Sequence, residues 1–152
     1  MQRILLIIAI FSICAIIISG VGLLLLRQVR NQLDIESKLY VDTIIPTITS
    51  SWDTVQLITN ASPEFLYFNP PERIESWFAM FSRHLGPLRE YRGSKGRAAV
   101  NYFAPEGKIT TAIYIADVLC EKAPATIQVA MILRQRKWQI LEFRLNSRVF
   151  VQ

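Results

Sequence analysis

The chain has 152 residues, 51% hydrophobic and 19% charged, with a formal net charge of +5. That length suits one ordinary domain beside a hydrophobic segment, enough to bury a core without disulfides or metal. The charges are interspersed, which argues against a phosphate-tracking nucleic-acid surface, and a single histidine argues against a zinc site of the usual kind.

Ile4 to Leu26 carries no charged residue; its polar content is Ser12, Ser19 and the glycines Gly20 and Gly22. At 1.5 Å per residue a helix of this length crosses a hydrocarbon core of about 30 Å. The expectation is a short head and one transmembrane helix over 1–26. A cleaved signal peptide is the alternative, but the apolar run is longer than such peptides carry, and Leu23 to Leu26 continue past the small-residue pair Ser19-Gly20. Ile13 before Cys14 argues against a lipoprotein site. Arg3 flanks one end and Arg27, Arg30 and Lys38 the other, close to a draw by the positive-inside rule. The short head favours a signal anchor, with the domain outside the cytoplasm on the periplasmic side of a bacterial inner membrane.

Arg27 to Ile45 reads as a juxtamembrane helix with Val29, Leu33, Glu36, Tyr40 and Ile44 near one face, and Pro46 is expected to break or kink it. This gives a linker over 27–46 and a domain over 47–152. Thr47 to Thr59 resumes helical spacing through Ile48, Trp52 and Val55. Ser62-Pro63-Glu64 and Asn69-Pro70-Pro71-Glu72 are helix-start signals. The second opens the best-defined helix, with Ile74, Trp77, Phe78, Phe81, Leu85 and Leu88 on one side and Gly86-Pro87 at its end.

Strand texture follows Gly93. Arg97 to Ala104, Ile109 to Lys122, Thr126 to Leu133 and Trp138 to Asn146 predict a four-stranded antiparallel meander. Its turns fall at Pro105-Glu106-Gly107-Lys108, Lys122-Ala123-Pro124-Ala125 and Arg134-Gln135-Arg136-Lys137, and Val149-Phe150-Val151 would extend the last strand. Helices segregated from strands make an α+β fold, with helices packed on a curved sheet that buries Trp77, Phe81 and Trp138 together.

From about Trp52 to Ser147 the chain resembles the nuclear-transport-factor-2-like superfamily, the cystatin-like cone fold, and within it small bacterial membrane-anchored domains. The resemblance rests on Trp77, on Arg83-His84-Leu85-Gly86-Pro87-Leu88, on Pro105-Glu106-Gly107 and on Lys137-Trp138-Gln139-Ile140. The turn before Trp138 lacks the glycine usual in such domains. The resemblance implies a cone, and a superfamily of isomerases, dehydratases, transport factors and assembly proteins, so it leaves the activity open.

The isomerases of that superfamily place an acid and a tyrosine in an apolar mouth, which makes Tyr102, Tyr114 and Asp117 the candidates here. Tyr114 and Asp117 are three residues apart, so a regular strand sends them to opposite faces. No nucleophile elbow, P-loop or dinucleotide fingerprint is present. Arg89, Arg92, Lys95 and Arg97 surround Gly93 and Gly96 in an expected loop, a candidate contact for an acidic partner or lipid headgroup. His84 reads as a helix-end histidine and Cys120 as a small buried hydrophobe. The reading is a single-pass, membrane-anchored, non-enzymatic interaction or assembly module without a cofactor, such as an envelope-assembly component of the type IV secretion kind. Its expected partners are the membrane through Ile4 to Leu26, other membrane or envelope proteins, and a second copy through the sheet face. The alternative is a small-molecule-binding or isomerase-like domain that uses the cone cavity.

Overall fold

A computed structural model describes residues 2–150, and of their side chains all but those of 2–18, 23 and 26. The chain divides into two compact units, 1–33 and 34–152. Helix α1 (Gln2–Ser51) provides the first unit and the opening helix of the second. Among the described residues no helix is long and apolar enough to cross a membrane. The expected span, Ile4 to Leu26, falls mostly on residues whose side chains lie outside the described ones.

In the second unit α1 runs through Pro46 rather than ending there. Proline removes one helical hydrogen bond and crowds the carbonyl four residues back. Here Ile44, Ile45 and Ile48 are buried around it, which offsets that cost. The buried stripe is Ser37, Val41, Ile44, Ile45, Ile48 and Thr49, one step away from the expected Glu36 and Tyr40 face; Glu36 is exposed and Tyr40 half-buried. Trp52 stops the helix by entering the left-handed region at φ 53°. For a side chain other than glycine this costs about 1–2 kcal/mol. The buried indole offsets it, donating from Nε1 to the Gly86 carbonyl at 2.7 Å and meeting Phe78 and Phe81.

Three short helices follow. Asp53 caps α2 (Thr54–Asn60) by accepting from the Val55 amide, and Ser62 caps α3 (Pro63–Phe68) by accepting from Phe65. Helix α4 (Pro71–Leu85) buries Ile74, Phe78, Phe81 and Leu85 and ends at Gly86, whose φ of 73° suits glycine. Both Pro-containing start signals thus open helices. Trp77, Phe81 and Trp138 do not form one cluster. The core's ring contacts link Trp52, Phe78, Phe81 and Phe143, while Trp77 is half-buried beside a cleft.

Strands β1 (Leu88–Ala104), β2 (Gly107–Cys120), β3 (Pro124–Arg134) and β4 (Lys137–Asn146) form one open antiparallel sheet in sequence order. The protein is therefore α+β, helix-rich at its N-terminal side and a meander thereafter. β1 begins well before the expected Arg97, so Arg89, Arg92, Lys95 and Arg97 lie on a strand and not in a loop. Gly93, at φ 94°, sits in the register shift between Tyr91 and Ser94, a bulge that lets the strand continue. Gly96 pairs with Tyr114, where a Cβ would meet the Ile113 carbonyl and the Tyr114 ring. After β4 the chain forms a 3₁₀ turn, Arg148–Phe150, instead of more strand. That turn sets the Phe150 ring against Phe81 and His84.

Candidate functional site

One sheet face is covered by helices. On β2 its residues are Ala112, Tyr114, Ala116, Val118 and Cys120, all buried. The alternate residues Ile113, Ile115 and Asp117 are exposed on the outer face. Alternation follows from the period-2 pleat, and it separates the expected isomerase-like candidates. Tyr114 is 1% exposed on the helix face, and its hydroxyl lies 2.9 Å from Ser37 Oγ and donates to the Asp34 carbonyl at 3.0 Å. Asp117 is on the outer face, where its Oδ1 accepts from Thr126 Oγ1 at 3.4 Å. Tyr102 is exposed near the β1–β2 turn, with Lys108 Nζ 5.6 Å from its ring centre. The three are not brought together, and Tyr114 is bonded to α1 rather than free to meet a substrate.

A polar constellation outside the expected candidates joins α1 to β1. Asp34, Lys38 and Asp42 form one stripe at i, i+4, i+8. Asp34 Oδ1 accepts from the Ala98 amide at 2.6 Å, and Lys38 Nζ donates to the Ser94 carbonyl at 3.0 Å. Asp42 accepts from Lys38 at 2.7 Å and from the hydroxyls of Tyr91 and Ser94 at 2.6 Å each. Burial pushes the Asp42 carboxyl up, but the bonds from Lys38, Ser94 and Tyr91 and the Lys38 charge together hold it below its ordinary value. Burial first, then Asp42, push the Tyr91 phenol up. β1 is an edge strand, and edge strands carry unpaired main-chain groups. The α1 stripe satisfies two of them. The constellation is therefore an edge cover, and its acid, base and hydroxyls are bonded to each other rather than aimed into a cavity.

The clefts beside these elements are shallow. One of about 200 Å³ is lined by Arg92, Asp117, Pro124 and Thr126; another of about 240 Å³ lies beside Phe65, Trp77, Phe143 and Arg144. Among the described residues no group of three His, Cys, Asp or Glu is placed to hold a metal ion. Cys120 is a buried thiol, and burial pushes its pKa up, away from nucleophilic use. His84 is exposed in the last turn of α4.

The outer sheet face is the larger feature. The pairing register lays out the rows Ala99–Thr111–Ile132–Gln139, Arg97–Ile113–Ala130–Glu142 and Lys95–Ile115–Gln128–Arg144. Ile113 and Ile115 remain 54% and 47% exposed at the centre. Lys95 and Arg97 border them on the β1 side, and the Glu142–Arg144 ion pair on the β4 side. Of the four expected basic residues, Lys95 and Arg97 thus flank the exposed isoleucines. Arg92 pairs with Glu90 at 3.3 Å, and Arg89 is exposed near the start of β1.

Compared with family models, with curated proteins and with solved structures, the chain matches none.

Proposed function

We propose that this chain is a membrane-anchored, non-enzymatic interaction module of the cone type that docks a protein partner on the outer face of its sheet. The observation that carries the reading is the pair of half-exposed isoleucines, Ile113 and Ile115, centred on that face and bordered by Lys95 and Arg97. Burying an isoleucine fully contributes about 1.5–3 kcal/mol, so covering the exposed half of each gives roughly 1 kcal/mol apiece. That is too little for tight binding in solution. A tether changes this, because a partner in the same membrane meets the face at an effective concentration that can reach about millimolar. The uncharged stretch Ile4 to Leu26 supports such a tether in a single-pass protein of the bacterial inner membrane, with the domain on the periplasmic side. The basic border favours a partner with an acidic rim, such as another envelope-assembly protein. The α+β order and the one-sided meander support kinship with the nuclear-transport-factor-2-like superfamily.

An isomerase-like reading would need Tyr102 or Tyr114 and Asp117 in one apolar pocket, and nothing in their placement favours it. The test is photocrosslinking from position 113 of the full chain in cell membranes, with position 75 on the exposed side of α4 as control. Discrete adducts from 113 and not from 75 are expected; an adduct of twice the chain mass would identify the partner as a second copy. A pattern at 113 no different from that at 75 would overturn the proposal.

A further inference from the structure

Antiparallel order places both two-residue turns, Pro105-Glu106 and Gln135-Arg136, at one end of the sheet. The β1–β2 hairpin is the longer. Its last pair with β3 is Thr110↔Leu133 and β3 ends one residue on, at Arg134, so Gly107, Lys108 and the facing Tyr102–Ala104 stand past β3, a projection of about 7 Å at about 3.4 Å per residue. A register shift between Asn101 and Ala104 adds one residue on the β1 side of this tip. Phe103 there is 96% exposed, the most exposed large hydrophobic residue among those described, and Tyr102 beside it is 53% exposed. Lys108, Arg136 and Lys137 are exposed at the same end, against one exposed acid of the turn, Glu106; Arg134 is paired with Glu64 at 2.7 Å. A bare phenylalanine next to a tyrosine among cations suits a bilayer interface, where aromatic rings sit at headgroup depth and cations meet anionic headgroups.

The helix also points to this end. Asp34 contacts Ala98, Lys38 contacts Ser94, and Asp42 contacts Ser94 and Tyr91, so α1 from Asp34 onward runs antiparallel to β1. Asp34, where the chain enters the second unit, therefore lies toward the hairpin-tip end of that unit. Eight residues lead from Leu26 to Asp34, and even fully extended they reach only about 28 Å. An anchor that ends at Leu26 thus keeps Asp34, the entry to the second unit, within about 28 Å of it along the chain.

We infer that the β1–β2 hairpin tip, through Tyr102 and Phe103 with Lys108, Arg136 and Lys137 around it, is a second membrane contact that inserts into an interface containing anionic lipid. This rests on the anchor reading above, and the experiment separates the two. The full chain, with Cys14 and Cys120 replaced by alanine and one cysteine introduced at 103 or 128, is labelled with an environment-sensitive fluorophore. It is reconstituted in vesicles of phosphatidylcholine and phosphatidylglycerol carrying doxyl-labelled acyl chains, and near-ultraviolet circular dichroism checks the fold. The expected result is carbonate-resistant membrane association, with loss of emission to the doxyl lipid at 103 and not at 128, on the outer sheet face. Reversing Lys108, Arg136 and Lys137 to glutamate is expected to weaken the contact by up to about fivefold per charge and so restore emission at 103. A carbonate-resistant chain whose position 103 stays open to aqueous iodide overturns this inference alone. So does a position 103 shielded from iodide but untouched by the doxyl lipid, which would mean that protein covers the tip. A chain released by carbonate overturns the anchor and this inference together.

Discussion

Removing the Asp42 carboxylate should loosen the α1–β1 seam more than any other single surface change. Asp42→Ala deletes the acceptor of three bonds at 2.6, 2.6 and 2.7 Å. The Lys38 pair is i,i+4 and its side chains are 48% and 31% exposed, so it contributes only about 0.5 kcal/mol. Ser94 is buried and Tyr91 half-buried, and each hydroxyl left without its acceptor costs about 1 kcal/mol. The expected loss is about 2–3 kcal/mol, roughly 10 °C in Tm for a domain of this size. Asp42→Asn keeps the shape but turns an amide toward Lys38, and should fall in between. The assay is thermal unfolding of the full chain in detergent micelles, repeated against pH. A carboxyl held below its ordinary value of 3.8 contributes stability that is present above that value and lost as pH falls through its folded value. The wild type should therefore weaken below about pH 4 by an amount that Asp42→Asn lacks. If Asp42→Ala costs no more than Lys38→Ala, the hydroxyl bonds contribute nothing and the α1 stripe does not hold the β1 edge through Asp42.

Gly96→Ala should cost about 1–3 kcal/mol, because its Cβ would press on the Ile113 main chain and lie 2.7 Å from Tyr114 Cδ1, as urea unfolding of the variant would show. The β3–β4 turn holds Gln135 and Arg136 at φ 49° and 62°, and replacing them with Asn-Gly should raise stability by about 1–2 kcal/mol in the same assay. In a spectrophotometric titration of the five tyrosines, Tyr40 should ionise late. Burial pushes its phenol up to about 12, so the stability it contributes is intact below pH 10 and disappears as pH rises through 12. Tyr40→Phe should remove that late step.

The helix order, the Ser62 cap, the Pro71 start and the meander were legible because each rests on local chemistry. So was the parity that separates Tyr114 from Asp117. The basic series was misread because glycine is ambiguous. Gly93 and Gly96 suggest a loop, yet Gly93 forms a bulge and Gly96 admits the Tyr114 ring. Pro46 misled for the opposite reason: burial of Ile44, Ile45 and Ile48 outweighs a local preference that no apolar pattern can weigh. The α1 face was displaced because its buried stripe includes Ser37, a polar residue whose hydroxyl is bonded to Tyr114 across 77 residues. The Asp34–Lys38–Asp42 stripe was visible as i, i+4 spacing, but its partners on β1 could be known only once the strand began at Leu88.

The proposed docking and the proposed tip contact both depend on Ile4 to Leu26 lying in a bilayer. Carbonate extraction of the full chain from cell membranes, followed by mass measurement of the recovered polypeptide, tests that most directly. A chain that retains Ile4 to Leu26 is expected in the membrane pellet; recovery in the supernatant, or a chain shortened past Leu26, would contradict it.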